Sequence, residues 1–277
     1  MSATHGRLEL SQQPTTKGEI LSLEITLVGG PTAVLDIDGF RIVVDPTFDP
    51  PQSYRQEGAP VTLVKTAGPA FTPEELAPVH LVLASHEHED NLDHSGRAFL
   101  AAADKGLTTP EAAAKFGDNV GSLEPYESVV VPMPDGRNLT VTGVPALHGP
   151  DGVWQIAGPV TGWVLSGDGV PTTYVSGDNS WLELVDEIGR KCGPIDIAVL
   201  FVGGARFEEL GGAYLTLSNE DAVQAAGILG DATIVPVHAD SWAHFSQTSA
   251  DLKQMFEEKG LGHRIVVLEP GQKAKVK

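Results

Sequence analysis

Leu81-Val82-Leu83-Ala84-Ser85-His86-Glu87-His88-Glu89-Asp90-Asn91-Leu92-Asp93-His94 is the stretch on which the reading of this chain turns. An apolar strand runs abruptly into imidazoles and carboxylates, and a helix is expected just beyond it, over Leu92–Asp104. Two histidines at i and i+2 leaving a strand can point toward one ion, and Asp90, a further step of two, offers a hard oxygen nearby. A polar loop without function can have the same composition, so this segment alone does not establish a site.

Three further strand ends repeat the pattern. Val144-Pro145-Ala146-Leu147-His148 places a histidine after a strand, Tyr174-Val175-Ser176-Gly177-Asp178 an aspartate, and Ile234-Val235-Pro236-Val237-His238 another histidine. In α/β sheets, residues beyond strand ends converge on one rim, where sites are built. Isolated buried histidines are a poor account of four strand ends that each deliver a metal-type side chain. The expected ligands are His86, His88, Asp90, His148, Asp178 and His238.

The rest of the chain supplies a scaffold of matching type. Glu19–Val28, Ala33–Ile37 and Arg41–Val44 are short β-branched runs separated by Gly-Gly-Pro and Asp-Gly, which signal hairpins. Further strands are expected at His80–Ala84, Ser128–Val131, Leu139–Val144, Val160–Leu165, Thr172–Val175, Ile195–Leu200, Thr233–Val237 and Arg264–Leu268. Besides Leu92–Asp104, helices are expected at Pro110–Phe116, Trp181–Lys191, Asn219–Leu229 and Ser249–Lys259. Ser218 and Asp221 form a capping arrangement at the start of the fourth of these five. Residues 1–19 are polar and read as a loose N-terminal arm. No linker or repeat divides the remainder of the chain, so residues 20–277 read as one α/β domain with a large mixed sheet or two packed sheets.

At this point the chain resembles the metallo-β-lactamase superfamily. Ser85-His86-Glu87-His88-Glu89-Asp90 is similar to its His-x-His-x-Asp-His signature, and His148, Asp178 and His238 match the later ligand positions in order and interval. Val28-Gly29-Gly30-Pro31-Thr32 through Asp36-Ile37-Asp38-Gly39 to Val44-Asp45-Pro46 is similar to its opening hairpins. The likeness spans roughly Glu24 to Pro270 and is strongest to the branch of ascorbate-6-phosphate lactonase-like and N-acyl-phosphatidylethanolamine phospholipase D-like proteins. It implies an αββα four-layer sandwich with the site on one edge of the two sheets. It also implies a first ion on His86, His88 and His148, and a second on Asp90 and His238, with Asp178 bridging.

The chain departs from that pattern at Asn91, where the signature has histidine. An amide carbonyl is a neutral and weaker ligand than imidazole, so the second site is expected to bind loosely, to favour manganese or iron, or to stay vacant. His94, three residues on, lies within reach of the same helix face and could substitute, or could be a plain surface residue. Trp242 and His244 follow His238 closely and either wall the substrate pocket or pack locally. Asp45-Pro46 is expected to brace a loop beneath the metals.

Composition narrows the chemistry. The chain has 277 residues, 41% of them hydrophobic and 20% charged, and a formal net charge of −19. An acidic surface repels polyanions, and no Lys/Arg run or aromatic-basic stripe offsets it, so no nucleic acid is expected as partner. No stretch of about 18 apolar residues is present for a membrane span, and the first residues lack the apolar core of a signal peptide. With a single cysteine, Cys192, a cytoplasmic location follows by default. The expected partner is a small soluble molecule, with no membrane; whether the chain forms a homo-oligomer is open.

An enzyme using one or two Zn2+ ions, with Mn2+ or Fe2+ as alternatives, fits these readings. Bound water whose pKa falls toward about 7 supplies a hydroxide nucleophile, and Asp90 can orient it or carry a proton to the leaving group. A phosphorylated substrate would call for pocket Arg or Lys. The candidates are few: Lys65, Arg97 and, best placed after a strand, Arg206. The expectation is therefore a metal-dependent hydrolase of an ester-like bond, with a lactone slightly ahead of a phosphodiester. Iron-dependent redox chemistry and non-catalytic metal binding are the rival classes.

Overall fold

The computed structural model describes residues 20–56 and 59–277; the arm expected over residues 1–19 lies outside them. Strands β1 (Leu23–Gly29), β2 (Thr32–Ile37) and β3 (Phe40–Val44) form an antiparallel meander. A separate hairpin, β4 (Ser53–Arg55) and β5 (Thr62–Val64), precedes β6 (Leu81–Leu83), α1 (His94–Ala102), β7 (Gly106–Thr108), α2 (Pro110–Ala113) and β8 (Val120–Ser122). The second half runs β9 (Ser128–Pro132), β10 (Asn138–Ala146), α3 (Trp154–Ala157), β11 (Val160–Gly167), β12 (Val170–Val175) and α4 (Leu182–Cys192). It ends with β13 (Ile197–Phe201), α5 (Asn219–Ile228), β14 (Thr233–Val237), α6 (Ser249–Glu258) and β15 (Lys273–Lys275).

Two sheets result, ordered β15-β1-β2-β3-β6-β7-β8 and β14-β13-β12-β11-β10-β9. They pack face to face, and alternation along the strands decides which side chain goes where. Leu81 and Leu83 of β6 enter the core between the sheets, together with Ile197, Val199 and Phe201 of β13. Val82 turns the other way onto Leu92 and Leu100 near and on α1, and Ala198 and Leu200 turn onto Val185, Ile188 and Ala222 of α4 and α5. Burial on both faces is why these strands read as unbroken apolar runs. The architecture is an αββα sandwich.

The sequence and the structure part company in a few places. Arg264–Leu268 is not a strand: a 3-10 turn occupies Gly262–Arg264, and Ile265 makes an isolated bridge to Ile234. β-Branched composition drew the expectation, but what Ile265 contributes is packing against the outer core of the second sheet. Helix α1 begins at His94 rather than Leu92, because Asp93 is its N-cap and accepts from the Gly96 amide at 2.8 Å. The short strands β4, β5, β7, β8 and β15, three residues each, carry no alternation long enough to read. The Ser218–Asp221 capping box is present as expected. Among the described residues, no helix is long and apolar enough to cross a membrane.

Candidate metal centre

Strands β10, β12, β13 and β14 run in the same direction, so their C-terminal ends share one edge of the second sheet. His148, Asp178 and His238 leave that edge from β10, β12 and β14, and the loop after β6 brings the His86–Asp90 segment to meet them. Six carboxylate- or imidazole-bearing residues come together there: His86, Asp90, His148, Asp178 and His238 are buried and His88 is half-buried.

One ligand atom from each of His86, His88 and His148 lies within 4.8 Å of the others, and the same holds for Asp90, His238 and His244. Asp178 sits between these two triads. Its oxygens are 3.8 Å from His86 Nε2 and 3.5 Å from His148 Nδ1 on one side, and 3.4 Å from His238 Nε2 on the other. Burial opposes the charge of Asp178, but the imidazoles of His238, His148 and His86 prevail and hold its carboxyl far below the usual range. Asp90 is likewise held down against burial, chiefly by a hydrogen bond and charge interaction with His244. Both carboxylates are therefore anionic at neutral pH. His86 goes the opposite way: burial and neighbouring His88 push its imidazole well below its ordinary value, so it is neutral. Neutral imidazoles and ionised carboxylates are the forms that bind a cation.

Hydrogen bonds outside the triads set the ring tautomers. Ser85 donates its backbone N–H and its hydroxyl to Asp45, both at 2.6 Å, so the 2.9 Å contact between Ser85 Oγ and His86 Nδ1 has the ring as donor. That leaves the lone pair of His86 Nε2 facing His88 Nδ1 at 3.0 Å. His148 Nδ1 donates to the Leu215 carbonyl at 2.7 Å, which frees its Nε2 in the same way. Burial pushes the Asp45 carboxyl up to about 7, against the hydrogen bonds from Ser85 and Asn91. Asp45 braces the loop as the sequence suggests.

Does this set of donors fit metal? Several buried polar atoms here lack any hydrogen-bond partner: Asp90 Oδ1, Asp178 Oδ2, both ring nitrogens of His238, and His244 Nδ1. Buried polar atoms without partners are costly. Their concentration between two groups of imidazoles and carboxylates at ligand spacing is what a pair of cation sites requires.

Four sequence expectations are placed elsewhere. His94 is 69% exposed at its side chain and lies 3.7 Å from Asp49, with its ring edge-on to Tyr54, so it faces away from both triads. Arg206 is exposed, sits over the Tyr214 ring, and does not line the cavity in front of the site. Trp242 is buried in a small cluster with Tyr54 and Leu63 rather than at the cavity wall. Lys65 is a buried structural cation, bound at 2.9 Å to Asp93. Asn91 stays in the site, with its amide nitrogen turned to Asp45 Oδ2 at 3.0 Å and Asp178 Oδ1 at 3.2 Å.

A cavity of about 580 Å3 opens in front of the triads, and His86, His88, Asp90, His148 and His244 all reach it. His244 lines this cavity, one of the two places the sequence left open for it, and it also stands at ligand spacing to Asp90 and His238. Its segment hides no motif, because the signal that brings it in is tertiary. Lys65 and Ala205 form isolated bridges to Trp242 and Phe245 on either side of it.

Comparison with known proteins agrees with this fold. The model of a beta-lactamase superfamily domain matches residues 40–239. A UPF0173 metal-dependent hydrolase of Pyrococcus abyssi is 27% identical over 201 residues, 72% of this chain and 83% of that protein. The crystal structure of isothiocyanate hydrolase from Delia radicum gut bacteria superposes with a TM-score of 0.76 at 22% identity, covering 91% of this chain and 98% of that one. CmlA, a diiron beta-hydroxylase from Streptomyces venezuelae, has a TM-score of 0.63 at 16% identity over 95% of this chain and 55% of its own. The fold and the paired triads define the class of metal-dependent hydrolases built on the αββα sandwich. The chain belongs to the metallo-β-lactamase superfamily.

Proposed function

We propose that this chain hydrolyses an ester-like bond in a small soluble molecule, with zinc as its metal and a lactone as the leading substrate class. The observation that carries the reading is that His86, His88 and His148 of one triad and Asp90 and His244 of the other line the same cavity, with Asp178 and His238 buried directly behind them. His86, His88 and His148 would hold one ion, and Asp90 and His238 contribute to a second, with Asp178 serving both. Ions bound there supply Lewis acidity and water activated at neutral pH.

The protein's own groups do the rest. Asp90 is ionised, lines the cavity, and its Oδ1 is free of hydrogen bonds, so that oxygen would accept a hydrogen bond from the attacking water and orient it. Phe207, Leu210, Leu215 and Ile156 give the cavity an apolar wall on which the non-reacting part of a substrate can rest. On the rim, Glu87 engages both Arg97 at 2.7 Å and Lys115 at 2.6 Å. Two of the cavity's cations are thus already partnered, which favours an uncharged ester over a phosphate. The phosphodiester alternative draws on Arg55, exposed at the rim.

Zinc-loaded protein assayed in parallel against a lactone panel, aryl isothiocyanates and bis(p-nitrophenyl) phosphate tests the proposal. Lactone opening that disappears in His148→Ala is the expected result. Phosphodiester turnover without lactone opening would reverse the ranking, and tightly held iron in protein purified without added ions would move the reading to redox chemistry.

A further inference from the structure

We infer that His244 completes the second ion site in place of the motif histidine that this chain lacks, with Asn91 acting as a positioning donor. The inference rests on the reading of the site as a metal centre and adds which residue of this chain makes its second half work.

The motif position itself cannot supply an imidazole. Both contacts of the Asn91 amide nitrogen are with carboxylate oxygens, of Asp45 and Asp178. Asp178 is ionised and can only accept, so this side of the amide must be the NH2. Its role is to hold Asp178 between the triads. Its carbonyl oxygen, buried without a partner, is a neutral donor and weaker than an imidazole.

His244 has the properties Asn91 lacks. Its Nε2 lies 3.1 Å from Asp90 Oδ2, and it groups with Asp90 and His238 at ligand spacing. Its Nδ1 is buried with no partner, as are both ring nitrogens of His238 beside it. The ring is stacked on Phe207 at 5.1 Å and 21°, and packs on Phe245 at 4.6 Å.

The backbone under it is fixed on two sides. The Ala243 amide donates to the Val64 carbonyl at 3.0 Å, the Arg206 amide donates to the His244 carbonyl at 3.2 Å, and the Ser246 amide donates to the Gly203 carbonyl at 3.0 Å. A side chain held in one rotamer by stacking, on a segment tied to two neighbours, is preorganised in the way metal ligands need.

The test counts ions and does not depend on turnover. Parent, His244→Gln, His148→Ala and the double variant His244→Gln/Asn91→His are stripped with chelator, titrated with zinc, and analysed by plasma mass spectrometry. The parent is expected to hold two ions and His244→Gln one, with the second recovered in the double variant. Long-range 1H–15N spectra of the unmutated two-zinc protein are a check that needs no variant to fold. They should show five zinc-bound imidazoles: His86, His88, His148, His238 and His244. Four bound imidazoles with His244 free, or two ions at parent affinity in His244→Gln, would overturn the assignment. A parent that binds a single ion, lost in His148→Ala and untouched in His244→Gln, would overturn it too. A parent that binds none would bring down the metal-centre reading itself, which separates the two failures.

Discussion

The two triads of this site were assembled by different means, and the contrast shows what a sequence can convey. His86, His88 and His148 sit at the ends of β6 and β10, where the direction of a strand dictates where its next residues emerge. Two of the three donate Nδ1 to nearby acceptors, Ser85 Oγ and the Leu215 carbonyl, which leaves Nε2 free. Asp90 and His238 have the same strand-end logic, but their third member, His244, comes from a loop with no regular structure, placed by isolated bridges to Lys65 and Ala205. One triad is written in local sequence. The other is closed by a tertiary contact.

The largest effect should come from breaking the first triad. His148→Ala should cost at least one ion, and activity should fall by more than about a hundredfold, since even groups that merely orient ligands are worth about 10–100-fold. Retention of full metal content and rate would remove the distinction between the triads. Metal analysis alongside initial rates decides it.

A gentler perturbation targets the second triad through the backbone. Gly203 has φ +97°, and a Cβ there would stand 2.6 Å from the His238 carbonyl oxygen. Gly203→Ala should destabilise the fold by about 1–3 kcal/mol through backbone strain and steric displacement, and should weaken the more weakly held ion first. Chemical denaturation and chelator competition read the two effects separately. Loss of the ion held by His86, His88 and His148 instead would show that the triads are not independently supported.

Smallest of all should be Arg206→Ala. The side chain is exposed and lies over Tyr214 outside the cavity, so stability should change by less than about 0.5 kcal/mol and turnover of an ester substrate should stay at the parent level. A marked rise in KM would return Arg206 to the substrate pocket.

These effects track the limits of legibility in the sequence. Strands buried on both faces, such as β13, and capped helices, such as α5 behind Ser218, are set by local chemistry and could be read directly. Arg264–Leu268 has strand composition, yet tertiary packing leaves Ile265 with a single bridge. The polar edge strand β15 has no pattern, and it forms because β1 offers it an open edge. In the site, the same rule separates His94 from His244. His94 is near the motif in sequence, but helix α1 turns it toward Asp49 and solvent. His244 is remote from the motif, and the fold carries it to Asp90.

Crystals of the zinc-loaded protein measured on both sides of the zinc absorption edge would locate both ions. Two anomalous peaks per chain are expected, one within bonding distance of His86, His88 and His148 and one within bonding distance of Asp90, His238 and His244, with Asp178 between them. A single peak, or a second peak away from His244, would contradict this arrangement.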